Sequence, residues 1–310
     1  MAIVSKNKKI GASATLADRM SGDRPNLLNL LFYGPPKRGK TVTAHGLPRT
    51  RTLDFDNGLL SLVWAINNGV IEKRLEDIVY RTILPPSDPK RGKMLLDVAT
   101  DQVDDWIKEE DIPDDEWDRP YEKEWDTLII DSATQLTEAA IMKGLREGYT
   151  LNLSKSWERY TGDLRPMGVQ DWGHASQLFV KFIEQMKSLG KNVVLIAHEY
   201  HVTDAEGTIT AITPNVIGQL RQKLAGMFDE VWYMDVKGSR SKPEYFIQTT
   251  PDTLRNLGSR LSVLDPVEPA DFIAIRAKIA KALGKKPEEL WQALHGKACF
   301  ENMKKGGIMI

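Results

Sequence analysis

The chain has 310 residues, of which 41% are hydrophobic and 27% charged, and its formal net charge at pH 7 is −1. This length predicts one large domain or two smaller ones with a sizeable buried core. No apolar run reaches the roughly 18 residues of a membrane span, and the N-terminus lacks an apolar segment of signal-peptide length. The single cysteine, Cys299, excludes an internal disulfide and a multi-cysteine metal site. We therefore expect a cytoplasmic protein without membrane contact.

The acidic and basic residues are unevenly distributed. Residues 97–126 contain fourteen Asp and Glu against three Lys and Arg, a local balance of −11, so the remainder carries +10. Residues 1–51 supply +8 of that surplus. Such a distribution is compatible with an anionic partner, and equally with a solvated acidic insertion beside a basic leader.

The most specific motif is GPPKRGKT at residues 34–41, which matches the phosphate-loop pattern G-x-x-x-x-G-K-[ST] at every position. An apolar segment at 27–33 precedes it and is predicted to be a strand, and a helix is predicted to begin after the loop. Glycine lets the backbone approach a phosphate closely. In this pattern Lys40 reaches the β- and γ-phosphates and Thr41 binds Mg²⁺. The predicted ATP-binding residues are Gly34, Pro35, Pro36, Lys37, Arg38, Gly39, Lys40, Thr41 and Val42.

Polar residues end three further segments that are predicted to be buried strands. These segments are TLDFDNG at 52–58, WDTLIIDS at 125–132 and NVVLIAHE at 192–199. Because ligands bind at the carboxyl ends of parallel strands, these polar ends are expected to converge on the phosphates. Asp131 is expected to hold Mg²⁺ together with Thr41. Asp56 or Asp54 is expected to orient the attacking water, and His198 to contact the γ-phosphate.

Each of these roles has a structural alternative. Asp131 could cap the helix that follows its strand. Asp56 could belong to an Asp-Asn-Gly turn, and His198 could be an ordinary core or surface histidine.

Two predicted strands, at 230–236 and 244–250, read as a terminal hairpin. The order of phosphate loop, polar strand ends and hairpin resembles the RecA-like P-loop ATPases. More narrowly, it resembles the phage and prophage ATPases of single-strand annealing and recombination. The resemblance covers approximately residues 25–264.

The fold class that this resemblance implies is α/β. It has a mainly parallel central sheet flanked by helices, with a terminal antiparallel hairpin. The predicted divisions are a basic leader at 1–24, an ATPase core at 25–264 with an acidic insertion at 81–125, and a small helical C-terminal appendage at 265–310. A helix is predicted at 94–110 within the insertion, and the appendage could dock on the core, bridge subunits or bind a partner.

The resemblance also implies roles for individual residues. Asp56 takes the place of the water-activating acidic residue, Asp131 that of the Walker B aspartate, and His198 that of the residue that couples the γ-phosphate to a DNA loop. Arg255, or alternatively Arg260, takes the place of a basic residue inserted into the site of a neighbouring subunit. The expected catalytic residues are Lys40, Asp56, Asp131, His198 and Arg255.

RecA-like proteins place DNA-binding loops after the Walker B helix and after the His-bearing strand. The first loop corresponds to residues 148–168, where aromatic rings would stack on unpaired bases and basic groups would neutralise phosphates. The same residues could instead pack a helical cap onto the core. The expected DNA-binding residues are Lys155, Trp157, Arg159, Tyr160 and Arg165. The second loop, at 200–219, is expected to act as a switch.

These patterns predict a Mg²⁺-dependent ATPase that binds single-stranded DNA and assists phage-type recombination or annealing. The expected cofactors are ATP and Mg²⁺. The expected partners are single-stranded DNA, further copies of the chain, and single-strand-binding protein or other recombination factors, in the cytoplasm of a bacterial host. One alternative is a P-loop motor or loader that acts on a protein partner in helicase loading or DNA packaging. Another is a nucleotide kinase with DPKRGK at 88–93 as its lid.

Overall fold

The structure is a computed structural model that describes residues 27–84, 93–110, 112, 124–150, 168–239 and 242–291. The predicted leader at 1–24, the candidate kinase lid at 88–93 apart from its last residue, and the last residues, 292–310, lie outside the described residues. Within the described residues, every helix is too short or too polar to cross a lipid bilayer.

Ten strands and seven α-helices make up the described part of the chain. The strands are β1 (Asn29–Gly34), β2 (Thr50–Asp54), β3 (Val79–Thr82), β4 (Thr127–Asp131), β5 (Asn192–Thr203), β6 (Ile209–Pro214), β7 (Glu230–Ser239), β8 (Lys242–Gln248), β9 (Gly258–Ser259) and β10 (Val267–Pro269). The helices are α1 (Lys40–Ala44), α2 (Leu60–Asn67), α3 (Leu95–Glu109), α4 (Ala133–Thr150), α5 (Val169–Ser188), α6 (Leu220–Lys223) and α7 (Phe272–Ala282).

The strands form one sheet in the order β10-β8-β7-β1-β5-β4-β2-β3, with β6 paired to β5 and β9 to β7. The six strands from β7 to β3 in this order are parallel to one another, β8 runs antiparallel to β7, and β10 runs antiparallel to β8. The predicted fold class, a mainly parallel sheet with a terminal antiparallel hairpin, is confirmed. Because β5 lies between β1 and β4, His198 of β5 lies between the phosphate loop and the end of β4.

Both faces of the sheet are covered by helices. Along β1, Leu31 and Tyr33 point to the face covered by α3, α4 and α5. Leu30 and Phe32 point to the opposite face, which is covered by α1 and α7. Burial on both faces explains why β1, β4 and the first half of β5 read as nearly continuous apolar runs in the sequence.

The segment expected to be a switch loop, 200–219, forms a hairpin over much of its length, which corrects that expectation. Strand β5 continues to Thr203 and pairs antiparallel with β6. The turn between them is closed by Asp204, whose carboxylate accepts the backbone N–H groups of Glu206 at 3.1 Å and Thr208 at 2.8 Å. Gly207 supplies the positive φ of 83° that this turn requires.

The helix predicted in the acidic insertion is confirmed as α3, and buried ion pairs attach its end to the core. Arg51, at the start of β2, lies 2.7 Å from Glu109, and Lys191 lies 2.6 Å from Glu110. Arg51 and Lys191 expose only 1% and 2% of their surface. The acidic residues at the end of α3 therefore neutralise buried cations instead of forming a purely solvated face.

The described part of the predicted appendage packs on the core. Strand β10 adds to the sheet beside β8, and Asp271 caps α7 by accepting the N–H groups of Ile273 and Ala274. Phe272 and Ile279 of α7 are buried against the sheet. Of the placements left open, docking on the core is the one that the structure shows, while the division of the chain at residue 265 stays a prediction.

His45, directly after α1, is expected to make the protein sensitive to acid. The ring is fully buried, with Nδ1 2.8 Å from the carbonyl of Thr41 and Nε2 3.0 Å from the hydroxyl of Thr52. Because a carbonyl can only accept, Nδ1 carries the proton and Nε2 accepts from Thr52. Burial, together with the nearby charge of Lys73, lowers the pKa of His45 from 6.5 to about 3.

Between these two pKa values the unfolded chain binds a proton that the folded protein does not. The free energy of unfolding should therefore fall as the pH falls from 6.5 towards 3. We expect the wild type to lose about 2 kcal/mol through this group between pH 7.5 and 5. His45→Gln keeps a donor and an acceptor but cannot be protonated, so its loss over the same range should be smaller by that amount. Urea unfolding at both pH values measures the difference, and equal losses in the two proteins would contradict the assignment.

Candidate active site

The carboxyl ends of four parallel strands lie side by side. In the sheet register Gly34 at the end of β1 is opposite His198 of β5, and Asp131 at the end of β4 is opposite Asp54 at the end of β2. The polar residues predicted at the strand ends therefore lie close to the phosphate loop in the described fold.

The phosphate loop packs directly on β7 through its glycines. Gly34 has φ 150°, and a Cβ added there would lie 2.2 Å from the carbonyl oxygen of Met234, so no other residue fits. Gly39 has φ 85°, and its added Cβ would lie 3.2 Å from Cε of Met234. Lys37 between them also has a positive φ, 61°. This sequence of backbone conformations wraps the loop closely, the shape in which backbone N–H groups can cradle a phosphate.

The remaining loop residues surround this turn. Pro36 and Lys37 are exposed, and Pro35 and Arg38 are half-buried. Arg38 lies 3.5 Å from Asp235 of β7. Val42 packs against the small apolar cluster beneath α2.

The side chain of Lys40 is held inside the loop. It is 4% exposed, and its Nζ donates to the carbonyl oxygens of Gly34 at 3.0 Å and Pro35 at 2.7 Å. Burial lowers the pKa of Lys40 to about 8, while the negative charge of Asp131 opposes this shift. Lys40 is therefore mostly a cation near pH 7, and it lies where the loop would hold the phosphates.

Thr41 and Asp131 form the predicted metal-binding pair. The Thr41 hydroxyl donates to Oδ2 of Asp131 at 2.5 Å. Asp131 is 5% exposed, and burial raises its pKa to about 6, with further contributions from the charges of Asp56 and Asp54. Mg²⁺ in nucleotide sites takes hard oxygen ligands from one or two protein groups together with phosphate oxygens and water. The pair fits Mg²⁺, because a divalent cation would offset the buried negative charge.

The aspartate that ends β2, Asp54, and the aspartate two residues later, Asp56, have different environments, so the structure separates two candidates that the sequence left open. Asp54 accepts the backbone N–H groups of Asp56 and Gly58, each at 3.2 Å, and so holds the turn. Asp56 faces the other strand ends: its carboxylate accepts the Ser132 hydroxyl at 3.0 Å and lies 3.3 Å from Nε2 of His198. Asp54 therefore has the structural role and Asp56 is the carboxylate available to a reactant.

His198 is connected to a neighbouring cavity through its backbone. Its N–H donates to the hydroxyl of Thr134 at 3.3 Å, and its carbonyl accepts the N–H of Asn215 at 2.8 Å. Thr134 and Asn215 also line a cavity of about 340 Å³ between α4, α5 and the segment before α6. The wall of this cavity includes Trp172 and Arg221. The sequence analysis did not predict either residue as functional. The signal in the sequence was weak: Trp172 is an aromatic residue just after the expected loop at 148–168, and Arg221 is a basic residue just after the one at 200–219.

Arg255 and Arg260 contact their own chain. Arg255 lies 2.6 Å from Asp252, and its guanidinium stacks 4.2 Å above the ring of Tyr233. Arg260 forms an ion pair with Asp229. The expected role of either arginine in a neighbouring subunit stays a prediction. The five expected DNA-binding residues, Lys155, Trp157, Arg159, Tyr160 and Arg165, lie outside the described residues.

Comparisons with known proteins identify a family. A family model described as an AAA domain matches residues 27–261. A search of curated proteins finds no match. Among solved structures, the chain is similar to the crystal structure of the flagellar accessory protein FlaH from Methanocaldococcus jannaschii. That alignment has 11% identity and a TM-score of 0.30 and covers 77% of this chain and 85% of that chain.

Lys40→Ala should strongly weaken triphosphate binding without unfolding the protein. The substitution removes a cation and its charge-assisted hydrogen bonds, each worth about 1.5–3 kcal/mol, so we expect a loss of affinity on the order of 100-fold. Isothermal titration with Mg²⁺-ATP measures this. The exposed, equally charged Lys237 provides the control, Lys237→Ala. Normal affinity in Lys40→Ala would contradict the phosphate-loop assignment.

Asp131→Asn should increase the stability of the free protein and remove its response to Mg²⁺. Because the folded-state pKa of Asp131 is raised to about 6, the ionised carboxylate destabilises the fold above that pH. The amide should therefore increase the free energy of unfolding at pH 8 by about 1–3 kcal/mol. The same change should remove the effect of Mg²⁺ on nucleotide affinity. Asp105→Asn, at an exposed position of α3, is the control for both measurements, and Mg²⁺ dependence that survives in Asp131→Asn would refute the metal assignment.

Proposed function

The chain belongs to the AAA domain family, and on that premise we propose that it is a Mg²⁺-dependent ATPase whose nucleotide site is coupled to the binding of single-stranded DNA. The support for the nucleotide half is the phosphate loop with its buried Lys40 and the Thr41–Asp131 pair. When bound, Mg²⁺ would neutralise phosphate charge and the triphosphate would supply the bond that is hydrolysed.

In this proposal Asp56 orients the attacking water. Hydrogen bonding by Ser132 and the proximity of His198 fix the position of its carboxylate, so that one geometry is already selected before a reactant arrives. Lys40 stabilises negative charge on the phosphates. His198 lies beside Asp56 on the strand between the phosphate loop and Asp131, and it is the residue that can respond to an occupied γ-phosphate position.

The observation that carries the coupling is the pair of backbone hydrogen bonds at His198. The Thr134 hydroxyl accepts the N–H of His198, and the N–H of Asn215 donates to the carbonyl of His198. Both residues line the 340 Å³ cavity. A ligand that shifts either residue therefore shifts His198 relative to Asp56. Coupling of this kind is reciprocal: DNA in the cavity and nucleotide in the loop would strengthen each other's binding.

The chemistry of the cavity wall favours single-stranded nucleic acid as the effector. Trp172 is 44% exposed, and the guanidinium of Arg221 lies 3.7 Å above the ring of Tyr200. Exposed aromatic rings stack on unpaired bases, and a guanidinium binds phosphate.

The biological setting that we propose is phage-type recombination or annealing in the bacterial cytoplasm. Its support is the order of motifs shared with the phage and prophage ATPases. In this setting the protein acts as a homo-oligomer, with Arg255 or Arg260 as the candidate contribution of a neighbour and with single-strand-binding protein or other recombination factors as partners.

A second candidate function is a motor or loader that acts on a protein partner. The observation in its favour is helix α2, directly after the Asp56 turn. Leu60 is 82% exposed and Trp64 is 63% exposed on this helix. Large apolar side chains with this exposure suit a protein contact next to the nucleotide site.

ATP hydrolysis with and without single-stranded and duplex oligonucleotides tests the coupling. We expect single strands to stimulate hydrolysis and to lower the Kd for ATP, and Lys40→Ala to show neither effect. Trp172→Ala should weaken single-strand binding by about 5-fold or more, because stacking is worth about 1–3 kcal/mol per base. Arg221→Ala should also weaken it, because the substitution removes a guanidinium that binds phosphate. Arg74→Ala, an exposed arginine outside the cavity, is the matched control.

The alternatives give different results in the same assay. Nucleotide binding with no response to either form of DNA would favour the motor or loader, and Leu60→Ser with Trp64→Ser would then be expected to abolish partner binding. Stimulation that is unchanged in Trp172→Ala and Arg221→Ala would place the DNA contact elsewhere and remove the cavity from the proposal.

A further inference from the structure

Tyr245 on β8 is an aromatic ring beside the phosphate loop that the roles above do not use. It is 45% exposed, and a Cβ at Gly39 would lie 3.6 and 3.7 Å from its ring carbons Cδ1 and Cε1. The ring therefore contacts the loop along one edge and presents the rest of its surface to solvent. An open ring at the rim of a nucleotide site suits contact with a second flat ring.

The arrangement of strands around β1 gives the bound triphosphate a direction. The residues assigned to the γ-phosphate and the metal, His198 within β5 and Asp131 at the end of β4, lie on one side of β1. Strands β7 and β8 lie on the other side. A triphosphate whose γ end lies towards β5 has its nucleoside end towards β7 and β8, where Tyr245 lies.

The strand register places the ring at the height of the loop. Tyr245 is directly opposite Val236, two residues beyond Met234, whose carbonyl approaches Gly34. Residues two apart in a strand point to the same face, so Tyr245 is on the face of Met234, which is the face that α1 covers. The Arg38–Asp235 pair, at 3.5 Å, adds polar groups at this rim.

We infer that the Tyr245 ring is the platform on which the nucleobase of the bound triphosphate stacks. This inference rests on the nucleotide site proposed above and extends it to the recognition of the base. Stacking depends on ring overlap and not on hydrogen-bond pattern, so purine triphosphates should bind more tightly than pyrimidine triphosphates, with little distinction between adenine and guanine. The polar rim at Arg38 and Asp235 is available to the sugar.

Binding of Mg²⁺-ATP and of Mg²⁺-tripolyphosphate, which lacks the nucleoside, tests the inference by isothermal titration. Tyr245→Ala should weaken ATP binding by about 5-fold or more and leave tripolyphosphate binding within about twofold of wild type. Tyr245→Leu retains apolar contact with Gly39 but has no aromatic face, so it should lose ATP affinity in the same way. Tyr245→Phe should bind both ligands like wild type.

The control is Tyr80→Ala, because Tyr80 is 53% exposed on β3 at the opposite end of the sheet. Thermal unfolding without ligand checks that each variant is folded. Equal losses for ATP and tripolyphosphate in Tyr245→Ala and Tyr245→Leu would show that the ring only supports the loop, and unchanged ATP affinity would place the base elsewhere; either result overturns the inference. A wild type that binds neither ligand would refute the phosphate site itself and with it the platform.

Discussion

The parallel pairing of β1 with β5, of β5 with β4 and of β4 with β2 is the constraint on which the site depends. It aligns Gly34 with His198 and Asp54 with Asp131 near the carboxyl edge, with Asp131 opposite Ile196, two residues before His198. More than 160 residues of sequence separate Gly34 from His198. A slip of one residue in any pair would turn that strand's polar end to the other face. Every residue of β2 and β4 is buried, as are all but one of β1, so a slip would disturb packing on both faces, and the core of the sheet thereby determines the geometry of the polar edge. The packing of Gly34 on the carbonyl of Met234 fixes the other side of the loop in the same manner.

The polar edge makes the fold less stable than an apolar one would be. Lys40 is 4% exposed and Asp131 is 5% exposed, and their pKa values are shifted towards the neutral forms, to about 8 and about 6. Both shifts mean that burial of the charged form is unfavourable. A magnesium triphosphate would supply the opposite charge for each group, so the same desolvation that strains the free protein strengthens binding. Burial also lowers the pKa of Lys191, but Lys191 and Arg51 each have a carboxylate partner within the chain, Glu110 and Glu109.

The sequence was sufficient for features that depend on local chemistry or on continuous burial. The phosphate loop, the strand ending in Asp131 and the hairpin of β7 and β8 belong to this class. Features that depend on which segments contact each other in the fold could not be predicted from the sequence. Asp54 and Asp56 follow the same strand, and only the turn closed by Asp54 shows which of them faces the site. The hairpin of β5 and β6 was mistaken for a loop because its polar, half-exposed residues resemble a loop in composition, and the amphipathic pattern of α7 gives an apolar face without saying what covers it.

The proposed assignments place the two ends of the nucleotide on opposite sides of β1. The residue that binds the base is therefore distinct from the residues that respond to the γ-phosphate. Tyr245 would contact the base, which is the same before and after hydrolysis. His198 and Asp56 would respond to the γ-phosphate, which only the triphosphate has. A ligand can shift a conformational equilibrium only through contacts that differ between the two states. The stacking contact therefore adds affinity without favouring either state of the cavity, and the coupling to Thr134 and Asn215 must come from the γ-phosphate end. A diphosphate would then remain bound by its base while the cavity returns to its unliganded preference, so release of DNA would follow hydrolysis and need not wait for release of the nucleotide.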